Sequence, residues 1–290
     1  MPSIKHLVFS GGGPSLIQTI GALQTVEAAG FVNLAEIQTI YGTSAGAILG
    51  VILCLKFDWP TINDYILLRP WHDVFPMKVQ HIFDAYTKRG IYDEQTVAKC
   101  FKPLFDAKDI SLGITMRELF DLSKIELHMY AFDINAFQLD DISYLTHPDL
   151  SVITALHMTS TLPILMAPHF IGTKCYIDGG IINNYPLKHA ISSGKVEDEI
   201  LGFKNSYGPI CENPITEEST ILELIISFLF KTIRNLGISH LQPPIKYEVV
   251  CNARVLSIEF LRMAVSSVDV RRELFQSGVE SAKDFLEKNK

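Results

Sequence analysis

The chain of 290 residues has no run of about 18 consecutive apolar residues, so no segment reads as a membrane-spanning helix. Its five cysteines (54, 100, 175, 211 and 251) are scattered, odd in number and without metal-ligand spacing. That pattern predicts reduced thiols, a cytoplasmic protein and no metal centre. No charged stretch precedes an apolar one at the N-terminus, where Pro2-Ser3 leads straight into a strand-like run, so no signal peptide is expected. Ser/Gly/Pro-rich linkers, charge runs and internal repeats are all missing, which predicts a single domain over 1–290 rather than several. A net charge of −7 excludes a global pull toward anionic lipid and argues against a nucleic-acid partner. The phosphate-binding signatures are incomplete as well. After Ser10-Gly11-Gly12-Gly13 the third glycine of a dinucleotide loop would fall at 16, which is leucine, and there is no Walker lysine.

What is present is 48% hydrophobic content, enough at this length for one core that buries roughly three quarters of the unfolded surface. Strand-like runs at 4–9, 36–41, 125–133, 174–178 and 199–204 alternate with helix-like stretches. Such alternation predicts an α/β fold with a central, mostly parallel sheet flanked by helices. Residues 60–122 read as a helical insertion broken at Pro60, Pro70, Pro76 and Gly90, forming either part of a cleft or plain outer helices. Residues 205–290 read as helical, ending in an amphipathic helix from Val270 to Lys290 with Leu274, Val279, Ala282 and Phe285 inward. Ile221 to Phe230 is strongly apolar but ten residues long and interrupted by Glu223. A buried helix is the preferred reading there, with an interfacial helix edged by Lys231 and Arg234 as the alternative.

Three segments carry chemistry. Tyr41-Gly42-Thr43-Ser44-Ala45-Gly46-Ala47 sets a serine between glycines where a strand-like run meets a helix-like one. A serine on so sharp a turn projects its hydroxyl outward, toward the amides that follow it, as an acyl-transfer nucleophile requires. Ser10-Gly11-Gly12-Gly13-Pro14 ends the first strand and precedes a helical pattern of Leu16, Ile20, Leu23 and Val26. Consecutive glycines there leave backbone N–H groups uncovered, which suits a phosphate or the oxyanion of a tetrahedral intermediate. Finally, Asp178-Gly179-Gly180 follows the short apolar run Cys175-Tyr176-Ile177 and leads into Asn184-Tyr185-Pro186.

In this order the segments resemble the patatin-like phospholipases, serine lipid acyl hydrolases that work with a Ser-Asp dyad. The glycine loop with Ile20-Gly21 and Leu23, the Gly42-to-Ala47 elbow, the Ala155-to-Pro163 stretch and the Asp178-Gly179-Gly180 block with Asn184 and Pro186 all match, spanning residues 4 to 186. The resemblance implies a three-layer patatin-like architecture, Ser44 as nucleophile and Asp178 as its base. It further implies an oxyanion hole from the amides of Gly11, Gly12, Gly13 and Ala45, with Gly42, Gly46, Gly179 and Gly180 shaping the turns. No metal or cofactor is implied. The substrate would be a phospholipid or related acyl ester, with peripheral membrane contact as a further expectation; the oligomeric state is left open. One departure stands out: Ser15-Leu16 replaces the family's basic residue and glycine, a change that bears on oxyanion strength and head-group preference. Of the nine histidines, His157, His169 and His189 flank the matching blocks but fall on no catalytic position, and each reads as structural or surface. The competing readings are a non-lipid carboxylesterase or acyltransferase with the same dyad, a phosphate- or nucleotide-binding module, and an inactive storage or regulatory protein.

Overall fold

Leu7, Val8 and Phe9 are wholly buried in the first strand, and the rest of the sheet assembles around it. The computed structural model describes residues 2–76, 85–208, 214–239 and 242–290, with backbone alone at 222 and 233–239; Cys211 therefore lies outside the described residues. Among the described residues, ten strands run in chain order as β1 (His6–Phe9), β2 (Thr39–Thr43), β3 (Gly90–Tyr92), β4 (Glu126–Asp133), β5 (Gln138–Ile142), β6 (Ile164–Met166), β7 (His169–Ile171), β8 (Lys174–Asp178), β9 (Ile200–Tyr207) and β10 (Tyr247–Ala253). The main sheet has the order β10-β9-β1-β2-β4-β8-β7, with β5 also on β4, while β3 and β6 pair separately. From β10 through β4 every pairing is parallel; β8, β7 and β5 join antiparallel. The five strands expected from sequence are all present, in an α/β fold with a mostly parallel centre.

One expectation needs correction. Residues 205–290 are not all helical, because β10 pairs in parallel with β9 along its whole length. Val249, Cys251 and Ala253 are buried while Val250 and Asn252 are exposed, the period-two pattern of an edge strand with one face on the core. The stretch 60–122 is helical in most of its described part but contains β3 and a π-helical turn at Asp64–Leu68.

One face of the sheet is covered by the helix Leu16–Ala28 lying against the C-terminal helix Val268–Lys288. The latter buries Leu274, Ala282 and Phe285, as its spacing predicts, and leaves Val279 half-buried. The two helices approach closely at glycines: a β-carbon on Gly278 would sit 1.9 Å from the Gln18 carbonyl oxygen, and one on Gly21 2.3 Å from that of Phe275. Neither backbone can yield without separating the pair. Gly278→Val is therefore expected to cost about 1–3 kcal/mol through overpacking, read as a fall of several degrees in Tm; an unchanged Tm would show that the helices slide apart freely.

Candidate active site

Ser44 lies between the last residue of β2 and the helix Ala45–Cys54, with φ +53° and ψ −119°. A non-glycine residue rarely holds such angles, and they persist only where the surroundings over-determine them. The surroundings here are tight. A β-carbon on Gly42 would meet the Gly46 carbonyl at 2.6 Å, and one on Gly46 would meet the Phe9 carbonyl oxygen at 2.5 Å. The Ser44 amide donates to Thr159 Oγ1 at 3.0 Å, and that hydroxyl donates in turn to the Tyr130 carbonyl at 2.6 Å.

Sheet register brings the acid to the serine. On β4, Tyr130 pairs with Thr43, and the next residue, Ala131, pairs with Asp178. Asp178 ends β8, which runs antiparallel to β4, so it reaches the elbow by alignment along β4 and not by ending a parallel neighbour. Gly179 makes the exit possible, since a β-carbon there would lie 2.3 Å from the Tyr130 carbonyl oxygen. Asp178 is only 5% exposed. Its carboxylate accepts from the Gly180 amide at 2.7 Å, and Asp178 and Ser44 line the same cavity, with the serine side chain acting on the carboxylate. Desolvation pushes its pKa up to about 6, against the lowering effect of Ser44 and the Gly180 amide.

The glycine loop departs from expectation at one residue. The Gly11 amide already donates to the Asn184 carbonyl at 2.9 Å, so Gly11 is not a free donor. Its carbonyl accepts from Asn184 Nδ2 at 3.1 Å and Asn205 Nδ2 at 2.9 Å, which pins the loop between the acid's turn and the end of β9. Gly12, Gly13 and Ala45 line the cavity beside Ser44 and Asp178, whereas Gly11 does not. Among the described residues, none accepts from the amides of Gly12, Gly13 or Ala45, and these three remain as donors. Asn205 was missed from sequence; its only signal was a polar residue ending an apolar strand. Ser15, in place of the family's basic residue, is fully buried and carries no charge to the loop.

The cavity holds about 740 Å³, within the usual range for small-molecule sites. Its walls are mainly apolar, and much of them comes from 60–122, through Ile66, Trp71, Phe75, Phe101 and Leu104. This segment therefore forms cleft wall. Among the described residues that line the cavity there is no histidine. His189 instead hydrogen-bonds Asn183, with Nδ1 2.9 Å from Nδ2. His157 and His169 meet Glu94 away from the dyad, an assembly that spacing along the chain does not reveal.

A strained serine on a strand-to-helix turn beside a buried carboxyl defines the class: an α/β protein with a nucleophile elbow. Residues 7–191 match the patatin-like phospholipase family, and the chain belongs to that family. It is 28% identical over 189 residues to the probable lipid hydrolase 463L of Invertebrate iridescent virus 6, covering 64% of this chain and 63% of that protein. It is 29% identical over 197 residues to the uncharacterized protein YqhO of Bacillus subtilis (strain 168), covering 62% and 64% respectively. The chain thus spans less than two thirds of the length of these curated relatives. Among solved structures, VipD from Legionella pneumophila superposes with a TM-score of 0.60 at 16% identity, covering 99% of this chain and 67% of that one, a likeness of fold.

Proposed function

We propose that the protein hydrolyses fatty acyl esters of phospholipids or related glycerolipids through Ser44 and Asp178. The observation that carries this reading is a serine and a buried carboxyl side by side in a largely apolar cavity of about 740 Å³. Ser44 Oγ attacks the ester carbonyl as Asp178 takes its proton, and the carbonyl oxygen becomes an oxyanion beside the amides of Gly12, Gly13 and Ala45. Each such donor contributes roughly 2.7–4 kcal/mol in comparable sites. Collapse expels the alcohol, protonated by Asp178, and leaves an acyl-serine. Water then attacks that ester, gives its proton to Asp178, and releases the fatty acid while Ser44 recovers its hydrogen. The apolar walls suit an acyl chain better than a nucleotide, which would need charged or polar walls around its phosphates and base.

A panel of phospholipids and glycerolipids with mass-spectrometric readout, run beside Ser44→Ala, tests the proposal. Fatty acid released by the wild type alone supports it. Turnover of short soluble esters without any lipid product would move the assignment to a carboxylesterase.

Access from a lipid surface is the second part of the reading. The helix Ile221–Ser239 does not bury its apolar face as expected: Ile221 and Phe228 are 76% and 71% exposed, Leu224 and Ile225 are about half exposed, and Ile226 is buried. Phe230, on the inward side of the same helix with buried Ile226, lines the cavity, so the helix carries its exposed apolar stripe on the side turned away from the proposed substrate site. No helix among the described residues is long and apolar enough to cross a membrane, and contact of this kind would be peripheral. Ile225→Asp is expected to weaken liposome flotation severalfold while leaving hydrolysis of a soluble ester unchanged. A folded variant that floats like the wild type would remove this helix from the interface.

A further inference from the structure

Away from the dyad, three separate elements converge on one point. Glu94 opens the helix Glu94–Asp106, His157 lies on the helix Val152–Thr159, and His169 begins β7. One ligand-type atom from each lies within 4.8 Å of the other two. His169 Nδ1 stands 3.4 Å and His157 Nδ1 3.8 Å from the same carboxylate oxygen, Glu94 Oε2. Bonds of about 2.0–2.1 Å to a tetrahedral ion place ligand atoms about 3.3–3.5 Å apart, so the observed separations need only small side-chain adjustment.

A second observation points the same way. His157 is 3% exposed, and neither of its ring nitrogens makes a hydrogen bond of good geometry; His169, the Ala167 backbone and Asp93 are the groups that act on the ring. Buried imidazoles ordinarily find partners. A backbone acceptor beside the ring is what orients a ligating histidine, leaving its other nitrogen for the metal. The charged groups acting on the two rings are Glu94 and Asp93, both acidic. The Glu94 side chain is 40% exposed and that of His169 23%, which gives an ion a way in.

We infer that Glu94, His157 and His169 form a binding site for a divalent transition-metal ion, with zinc the best match to two imidazoles and a carboxylate. Three protein ligands leave a fourth position for water. The ion would tie the 60–122 wall of the cavity to β7 and to the helix that ends at Thr159. That helix and the residues after it support the dyad: Thr159 Oγ1 accepts from the Ser44 amide, the Thr161 carbonyl accepts from the Asp178 amide at 2.8 Å, and Thr161 Oγ1 donates to the His157 carbonyl at 2.6 Å. The site is thus a clamp on the scaffold of the cleft, and its existence does not depend on the hydrolase reading.

The test uses the full chain, stripped with a chelator and titrated with Zn²⁺ by calorimetry, then with Co²⁺ by visible absorption. One equivalent is expected to bind, with a tetrahedral ligand-field spectrum and no thiolate charge-transfer band. His169→Ala and Glu94→Gln, both at partly exposed positions and checked for fold by circular dichroism, should each weaken binding at least about tenfold. Binding below one equivalent at saturating metal, a thiolate band, or unchanged affinity in both variants would overturn the assignment.

Discussion

Ser44→Ala is expected to lower the turnover of an acyl ester by about 10⁴-fold or more, and Asp178→Asn by a comparable factor, on the scale of dismantled nucleophile–base pairs. On the proposed mechanism the two residues act on one proton, so the double variant should be little worse than either single one. The readout is kcat on a p-nitrophenyl acyl ester, with fluorophosphonate labelling reporting the serine directly. Circular dichroism serves as the control for fold, since neither change removes core volume. Near-normal turnover by Ser44→Ala would end the assignment of the nucleophile. Separate effects that multiply in the double variant would mean that the two groups do not share a proton.

The pH dependence should be large and should have an unusual counterpart in stability. With Asp178 raised to about 6, kcat/KM is expected to fall tenfold per unit as pH drops below that value, because only the carboxylate accepts the serine's proton. The folded carboxyl holds its proton more tightly than the unfolded one, whose value is near 3.8. Between those values the native state binds more protons, so stability decreases as pH rises through the window and the burden stays in full above it. At 1.36 kcal/mol per unit the burden is on the order of 3 kcal/mol. Asp178→Asn, neutral at every pH, should therefore unfold at a higher temperature than the wild type at pH 8, and the difference should vanish near pH 4. Loss of activity with gain of stability is the signature of a site that holds an unfavourable charge for function. If the variant were less stable at pH 8, the raised pKa would be wrong and the aspartate a structural hydrogen-bond acceptor. A rate profile flat to pH 4.5 would point to a different base.

Much of this site is legible from sequence because its determinants are local. Gly42 and Gly46 flank Ser44 since a β-carbon at either would strike backbone within a few residues or on the adjoining strand, and such constraints print themselves as short motifs. Strand runs such as 174–178 are equally local, being apolar segments closed by glycine. The sequence shows the glycine loop as a turn rich in amides, but not that the Gly11 amide is taken. That donor is occupied by Asn184, a partner 173 residues along the chain that no pattern near Gly11 could indicate. β10 was passed over although its alternation is plain, because Glu248 and Asn252 weaken the hydrophobic signal of an edge strand. The helix Ile221–Ser239 was misjudged for a related reason: composition reports how apolar a face is, and says nothing about whether another element covers it.

The amino-acid sequence by itself determined where the proposed reactive groups lie and what turns hold them, since backbone sterics act over a handful of residues. Tertiary structure decided everything that depends on who meets whom. The antiparallel β8 aligns Asp178 with Ala131, one step beyond Tyr130 opposite Thr43, and enclosure of that carboxyl raises its pKa. Helices from 60–122 close over the cavity, and Glu94 is drawn to His157 and His169. Desolvation and proximity are properties of packed neighbours, and those neighbours are remote along the chain.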